Sequence, residues 1–247
     1  MDMQMHHAAA ELSSTFEGHV LPGAMFLVWA LYWIGQSFRR GAEAGAGRAL
    51  EEGTFLPVAK IVLPLVGVWV EIPGQGWYPD DVIMSWQHVT MYGVFSLSGI
   101  ADLLARRGLL SGTATYVTFA AAHANAGFLF WGHSAAHGGV EGVVHKLLAS
   151  VFFAVALSAV FEMSRPSEGA RWMRIGAQLV LGSWFIVGGW ILYRSGWDLA
   201  APFREGWTSV SFSWLVATMA VVTVAVRLVS AGRRPPALPG EVGRRAS

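Results

Sequence analysis

The chain contains no cysteine, which excludes disulfides, thiolate metal ligands and a thiol nucleophile. It is also poor in charge, since only 13% of its 247 residues are Asp, Glu, Lys or Arg, about half the usual share of soluble domains. A net charge of +1 and the lack of a basic stripe argue against a nucleic-acid partner. The chain is instead rich in apolar residues: 54% of residues are hydrophobic and the mean hydropathy is +0.46. This composition predicts an integral membrane protein.

Seven apolar runs have the length of about 20 residues that a bilayer core requires. They lie near 20–38, 54–72, 85–105, 114–134, 142–163, 176–193 and 211–232. Because lipid offers no hydrogen bonds to the backbone, we expect each run to be a helix. The prediction is therefore an all-α, multi-pass bundle of seven transmembrane helices over residues 18–232. Residues 1–17 are interpreted as a mobile N-terminus and residues 233–247 as a disordered basic tail.

The arginines alternate between the two ends of these runs. Twelve lie on one side: Arg39, Arg40, Arg48, Arg106, Arg107, Arg165, Arg171, Arg174, Arg233, Arg234, Arg244 and Arg245. The opposite side has only Arg194 and Arg204. The positive-inside rule then predicts that the N-terminus is outside and the C-terminus inside. Arginine outnumbers lysine fifteen to two, which we interpret as GC-rich coding and a bacterial inner membrane.

Most histidines share one level of the predicted bundle, at its outer end. Titratable residues are costly in a membrane and mark function by default. The residues at this level are His19, Glu71, His88, His133, His137, Glu141 and His145. At about 1.5 Å per residue, His123 lies about 15 Å deeper than His133. Asp102 and Glu162 lie near the inner end, where we expect them to form ion pairs with arginines.

Imidazoles with carboxylates are the ligand set of zinc, copper and non-haem iron. Glu141 and His145 are four residues apart and can share a helix face, while the Gly138-Gly139 turn can bring His133 and His137 back toward them. The predicted metal ligands are His19, His88, His133, His137 and His145, with Glu71 or Glu141 as a general base. The alternative is a structural or water-facing polar cluster, because a single histidine at a membrane interface is usually an amphipathic anchor.

Several segments resemble the transmembrane protein 45 family, over roughly residues 17–193. They are GHVLPG (18–23), WQHVTMY (86–92), SGIAD (98–102), GFLFWGH (127–133) and GSWF (182–185), together with the spacing from Glu141 to His145 and Glu162. The resemblance implies a seven-helix membrane protein. The positions that match the family are His19, Glu71, His88, His133, His145 and Glu162.

The chain departs from the family pattern at two positions. Family members tend to have an acid where this chain has Ala126, and a second histidine where it has Ala135. His137 can substitute for that histidine. Both departures affect how many residues are available as metal ligands. The activity of the family is poorly defined, so the resemblance specifies a fold rather than a reaction.

Three classes of function remain open from the sequence. The first is a metal-dependent membrane enzyme that acts on a lipid or other apolar molecule, either by activating water or, with copper or iron, by activating oxygen. The second is a haem protein in which His88 and either His145 or His133 are the axial ligands. The third is a carrier, metal-handling or sensing protein without chemistry. The expected partners are membrane lipids and an apolar small molecule.

Overall fold

A computed structural model describes the backbone of residues 16–40, 53–71 and 79–232. Side chains are described for residues 16–38, 53–69 and 86–232. The predicted tail at 233–247, most of the predicted N-terminal segment and the loop that carries Arg48 lie outside these ranges. So does the side chain of Glu71. Within the described ranges the protein consists of seven α-helices joined by turns and short irregular links, and no strand is present there.

The helices coincide with the seven predicted apolar runs. They are α1 (Phe16–Arg40), α2 (Phe55–Glu71), α3 (Pro79–Arg106), α4 (Gly112–Ala136), α5 (Gly139–Ser164), α6 (Glu168–Tyr193) and α7 (Arg204–Gly232). All except α2 extend beyond the predicted run, because polar end residues continue a helix past the apolar stretch. The first helix includes Phe16 and Glu17, which the sequence analysis had placed in the mobile segment.

Local sequence explains where several helices begin. The hydroxyls of Ser111 and Ser167 cap α4 and α6 by accepting hydrogen bonds from the backbone N–H groups of Ala114 and Ala170. Only two residues separate α4 from α5. There Gly139 adopts a φ of 64°, a left-handed conformation that glycine tolerates at little cost. The chain therefore reverses direction immediately after His137.

The helices form an open ring. In order of packing the ring is α2, α3, α4, α5, α6 and α1, with α7 outside against α5 and α6. Successive helices are antiparallel. In α5 and α6 the contacts are Arg174 to Glu162 and Trp184 to Val144, and in α4 and α5 they are Tyr116 to Glu162 and His133 to His145. We call the end that holds His19, His133 and His145 the histidine end. The opposite end, with Arg106, Arg165 and Arg174, is the arginine end.

Glycines allow two of these helix pairs to approach closely. A Cβ on Gly23 would lie 2.9 Å from the carbonyl oxygen of Gly182, which joins α1 to α6. A Cβ on Gly99 would lie 2.7 Å from the carbonyl oxygen of Pro57, which joins α3 to α2. Small residues at helix interfaces are typical of membrane bundles. Gly188 and Gly189 also lie close to a neighbouring helix, whereas Gly93 has nothing within 4 Å of its Cβ position.

Four of the helices are long and apolar enough to cross a membrane by length and composition: Phe16–Phe38, Gly139–Ser164, Glu168–Tyr193 and Arg204–Gly232. A shorter apolar helix covers Phe55–Trp69. In α3 and α4 buried polar side chains such as Ser98, Asp102 and His123 lower the hydropathy. The last helix, α7, is apolar but exposed. Only 6% of its most apolar stretch is buried, and large side chains such as Trp214 and Leu228 face outward.

Candidate functional site

A cavity of about 480 Å³ lies at the histidine end of the ring. Its volume is within the roughly 300–1,000 Å³ typical of small-molecule sites. Most of its lining is apolar and comes from α1, α2 and α3, with Phe130 and Phe185 on the opposite side. All five histidines proposed as ligands, and Glu141, also line it: His19, His88, His133, His137, His145 and Glu141. Polar groups from α1, α3, α4 and α5 therefore line a largely apolar cavity.

Three imidazoles are in direct contact with one another. The ring of His133 lies 4.5 Å from that of His137 and 4.5 Å from that of His145, between ring centroids. His145 is only 4% exposed, and its buried Nδ1 has no hydrogen-bond partner among the described residues. Buried polar atoms normally have a partner. The His145 ring also lines the cavity, which makes it a further candidate ligand.

The tightest group of metal-ligating atoms comes from His133, His137 and Glu141. One ligand atom of each lies within 4.8 Å of the other two, and Nδ1 of His137 lies 3.3 Å from Oε1 of Glu141. With metal–ligand bonds of about 2.0–2.2 Å, two ligand atoms of a tetrahedral site lie about 3.3–3.6 Å apart. Side-chain movements of about 1 Å would therefore bring all three onto one ion.

His19 reaches this cluster because α1 packs tightly on α6. A Cβ on Gly189 would lie 2.5 Å from the Cβ of His19, so only glycine permits this approach. The His19 ring is 5.9 Å from that of His145 and 5.4 Å from that of Tyr193. His19 thus lies behind His145 and outside the group formed by His133, His137 and Glu141.

The two remaining predicted residues are placed differently. His88 lines the cavity from α3, and its ring lies 6.3 Å from that of Tyr92. It belongs to the same cavity, but it is not part of the group of closely spaced ligand atoms. Glu71 is the last residue of α2, and its side chain lies outside the described residues, so its role as a base stays a prediction.

Aromatic side chains separate the cavity from the middle of the bundle. Phe130 stacks on Phe152 at 5.5 Å and contacts Phe185 at 5.7 Å, between ring centroids. Beneath them lies His123, which is fully buried and whose Nδ1 donates a hydrogen bond to the carbonyl oxygen of Phe119 at 2.9 Å. His123 is therefore a core residue that does not line the cavity.

Two buried ion pairs occupy the region toward the arginine end. Lys60 and Asp102 are both fully buried, and Nζ of Lys60 lies 2.9 Å from Oδ2 of Asp102. Arg174 donates to Glu162 at 2.6 Å, and the hydroxyl of Tyr116 donates to the same carboxylate at 3.2 Å. The expected arginine partner of Glu162 is confirmed. For Asp102 the partner that the structure describes is Lys60, which lies in the second predicted apolar run.

Sequence reasoning also missed several side chains that shape the site. Tyr92, Phe130, Phe185 and Tyr193 line the cavity, yet aromatic residues occur throughout the apolar runs and carry no specific signal. A lysine inside an apolar run was a usable signal for Lys60, because a charge there needs a partner.

Comparisons with known proteins agree with this architecture. Residues 112–198 match a family of unknown function (DUF716), and this stretch contains His133, His137, Glu141 and His145. The chain is similar to human transmembrane epididymal protein 1, with 29% identity over 132 residues, which is 50% of this chain and 45% of that protein. It is also similar to mouse transmembrane epididymal protein 1A, with 30% identity over 134 residues, which is 50% of this chain and 40% of that protein.

The chain thus spans less than half the length of these curated relatives. No solved structure matches it. Transmembrane relatives together with several apolar helices identify a multi-pass integral membrane protein. The relatives are consistent with the resemblance to the transmembrane protein 45 type, and the matching family has no known function to transfer.

Proposed function

We propose that this protein is a metal-dependent membrane enzyme that acts on a lipid or other apolar molecule at its histidine end. The observation that carries the proposal is the placement of His133, His137 and Glu141 on the wall of an apolar cavity, with ligand atoms within 4.8 Å of one another. Two imidazoles and one carboxylate suit zinc, copper or iron. A bound metal would supply Lewis acidity and an activated water.

The residues around this group have separate roles in the proposal. His145, which contacts His133, is the fourth candidate ligand. His19 contacts His145 and holds its ring in place. His88 faces the bound molecule from α3. In this arrangement Glu141 is a ligand rather than the general base, which leaves Glu71 as the candidate base.

Metal content tests the proposal directly. Protein purified in detergent should contain about one transition-metal ion per chain by elemental mass spectrometry, and His133→Ala or Glu141→Gln should lose most of it. Glu205→Gln serves as the matched control, because it removes an exposed carboxylate near the start of α7. Equal metal in wild type, His133→Ala and Glu141→Gln would remove the site from consideration.

A carrier or metal-handling protein would bind metal in the same way, so activity has to be measured separately. Single-chain ester lipids are incubated with the metal-loaded protein, and fatty-acid release is followed by mass spectrometry. Release that is lost in Glu141→Gln supports an enzyme. Bound metal without release of product favours the non-enzymatic alternative, and a haem absorbance band in the purified protein would favour the bis-histidine alternative.

The proposal includes seven membrane crossings in a bacterial inner membrane, with the N-terminus outside and the C-terminus inside. Support comes from the arginine asymmetry and from the ring, in which α3 and α4 lie between α2 and α5. A helix packed between antiparallel spanning helices occupies the same depth of the bilayer. The histidine end then faces outward.

The cysteine-free chain makes this topology easy to test. Single variants Gly76→Cys and Gly138→Cys should react with an impermeant maleimide on intact cells. Gly45→Cys and Glu168→Cys should react only after the cells are broken. The reverse pattern would invert the orientation, and a mixed pattern would change the number of crossings.

A further inference from the structure

The ring of helices is open between α1 and α2. Apart from minor contacts of α1 with α7, α1 packs on α6, and α2 packs on α3, so the two helices share few contacts among the described residues. Those between their side chains lie toward the arginine end, where Tyr32 contacts Phe55 at 5.8 Å and Lys60 lies 5.7 Å from the ring of Trp29. The gap is therefore closed at the arginine end and widens toward the histidine end.

The cavity reaches the outside through this gap. Four apolar side chains line the cavity and are also about half exposed: Leu21 63%, Val28 47%, Leu63 48% and Val66 52%. Cavity residues on the opposite wall are almost fully buried, as His145 (4%) and Phe185 (3%) show. A side chain that lines a cavity and is half exposed marks its mouth. The mouth therefore lies between α1 and α2.

The depth of this mouth decides what can enter it. Val28 lies twelve residues from the start of α1, which corresponds to about 18 Å along the helix. Half of a bilayer hydrocarbon core is about 15 Å thick. The mouth thus extends along the hydrocarbon layer rather than opening only to water at the helix ends.

Both helices that flank the mouth contain a proline that lines the cavity, Pro22 in α1 and Pro64 in α2. A proline inside a helix removes one backbone hydrogen bond and weakens the helix locally. A Cβ on Gly67 of α2 would lie 2.8 Å from the ring of Tyr92, so that ring packs directly on the α2 backbone at the cavity wall. The two prolines favour a wall that can bend to admit a molecule from the side, while the Tyr92 ring keeps α2 packed on α3.

We propose that a single-chain amphiphile enters the cavity sideways from the bilayer through the mouth between α1 and α2. Its polar head would lie at the cluster of His133, His137 and Glu141, and its hydrocarbon chain would lie along Met25, Leu63 and Met91. At roughly 30 Å³ for each group of water size, about 480 Å³ holds about sixteen groups. That suits one chain better than the two chains of a bilayer phospholipid. The inference deepens the proposed function by naming the substrate class and its route, but it does not require the metal.

Photo-crosslinking tests the route. The full chain is reconstituted in phosphatidylcholine nanodiscs that contain a fatty acid with a diazirine on its chain, and labelled residues are located by mass spectrometry. Labelling should concentrate on cavity residues of α1, α2 and α3 rather than on α7, and unlabelled fatty acid should compete for it. A phosphatidylcholine with a diazirine on one chain should label the outer faces of the helices instead.

Matched substitutions on α2 test whether the labelled molecule enters through the mouth. Leu63→Trp and Val66→Trp narrow it, and we expect at least a fivefold loss of cavity labelling. Val62→Trp and Leu65→Trp place the same bulk at positions that are each 49% exposed but do not line the cavity. These two controls should label within twofold of wild type.

The outcomes separate this inference from the metal proposal. Unchanged cavity labelling in Leu63→Trp and Val66→Trp, or equal labelling of α7 and the cavity, would overturn the lateral route even if metal is bound. Cavity labelling that is blocked at the mouth supports the route even if purified wild-type protein contains no metal. The metal content of Leu63→Trp should equal that of wild type, because residue 63 lies outside the ligand group.

Discussion

The two polar regions of this bundle offset the free-energy cost of burying polar groups in different ways. Toward the arginine end two pairs of opposite charges are matched: Nζ of Lys60 lies 2.9 Å from Oδ2 of Asp102, and Nε of Arg174 lies 2.6 Å from Oε2 of Glu162. At the histidine end three imidazoles contact one another and share a single described carboxylate, Glu141, beside an open cavity. The first arrangement pairs buried charges with one another, whereas the second gathers ligand atoms around an apolar space.

Aromatic rings further stabilise the two cations of the first region. The guanidinium of Arg174 lies 4.0 Å from the ring of Trp33, and Nζ of Lys60 lies 5.0 Å from that of Phe119. Such cation–π contacts contribute about 0.5–2 kcal/mol each. The comparison teaches that a buried titratable residue in a membrane bundle indicates function most strongly when it lines a cavity and has no buried partner of opposite charge.

The largest effect should come from breaking the fully buried pair. Asp102→Asn leaves the Lys60 ammonium without its carboxylate, which should destabilise the fold by about 3–5 kcal/mol. Thermal denaturation and monodisperse yield in detergent measure the loss. The double variant Lys60→Met with Asp102→Leu removes both charges and should recover most of the stability. If Asp102→Asn is as stable as wild type, the pair does not hold α2 to α3.

A smaller loss is expected at the second pair. Glu162→Gln removes the charge but keeps an oxygen that can accept hydrogen bonds from Arg174 and Tyr116, and Arg174 retains its stacking on Trp33. We expect a loss of about 1–3 kcal/mol, measured by the same denaturation. Tyr116→Phe removes one hydrogen bond and should cost about 1 kcal/mol. A loss from Glu162→Gln as large as that from Asp102→Asn would contradict this order.

The contact between α1 and the histidine cluster offers a test with a built-in control. Gly189→Ala places a methyl 2.5 Å from the Cβ of His19, so it should push α1 away from α6 and cost about 1–3 kcal/mol. Gly93→Ala meets nothing within 4 Å and should stabilise α3 by about 0.5–1 kcal/mol, since alanine is the better helix former. Equal effects of the two substitutions on unfolding would contradict the tight α1–α6 contact.

A small effect on stability with a large effect on function is expected at the cavity wall. His88→Ala removes a partly buried side chain from the cavity wall, and the free energy of unfolding should change by less than about 1 kcal/mol. Any lipid-directed activity should fall at least tenfold. The comparison of the two regions fails if His88→Ala is fully active while a well-folded Asp102→Asn or Glu162→Gln is inactive.

The membrane class, the number of helices and the common depth of the histidines followed from local properties of the chain. Apolar length predicts a spanning helix, and a constant rise per residue places His19, His88, His133 and His145 at one level. The reversal at Gly138-Gly139 was equally local, because only the turn residues decide it. Each helix in the described ranges coincides with an apolar run that the sequence predicted.

Tertiary structure alone decided which helices are neighbours and which way each helix is rotated. The order of the ring brought Lys60 to Asp102 across 42 residues and left α1 and α2 apart at the histidine end. Rotation placed His133, His137 and Glu141 closest together, with His88 across the cavity and His123 beneath an aromatic layer. These features depend on packing between segments that are distant in the sequence. A hydropathy pattern records how deep a residue lies along its own helix, but not which neighbour it faces.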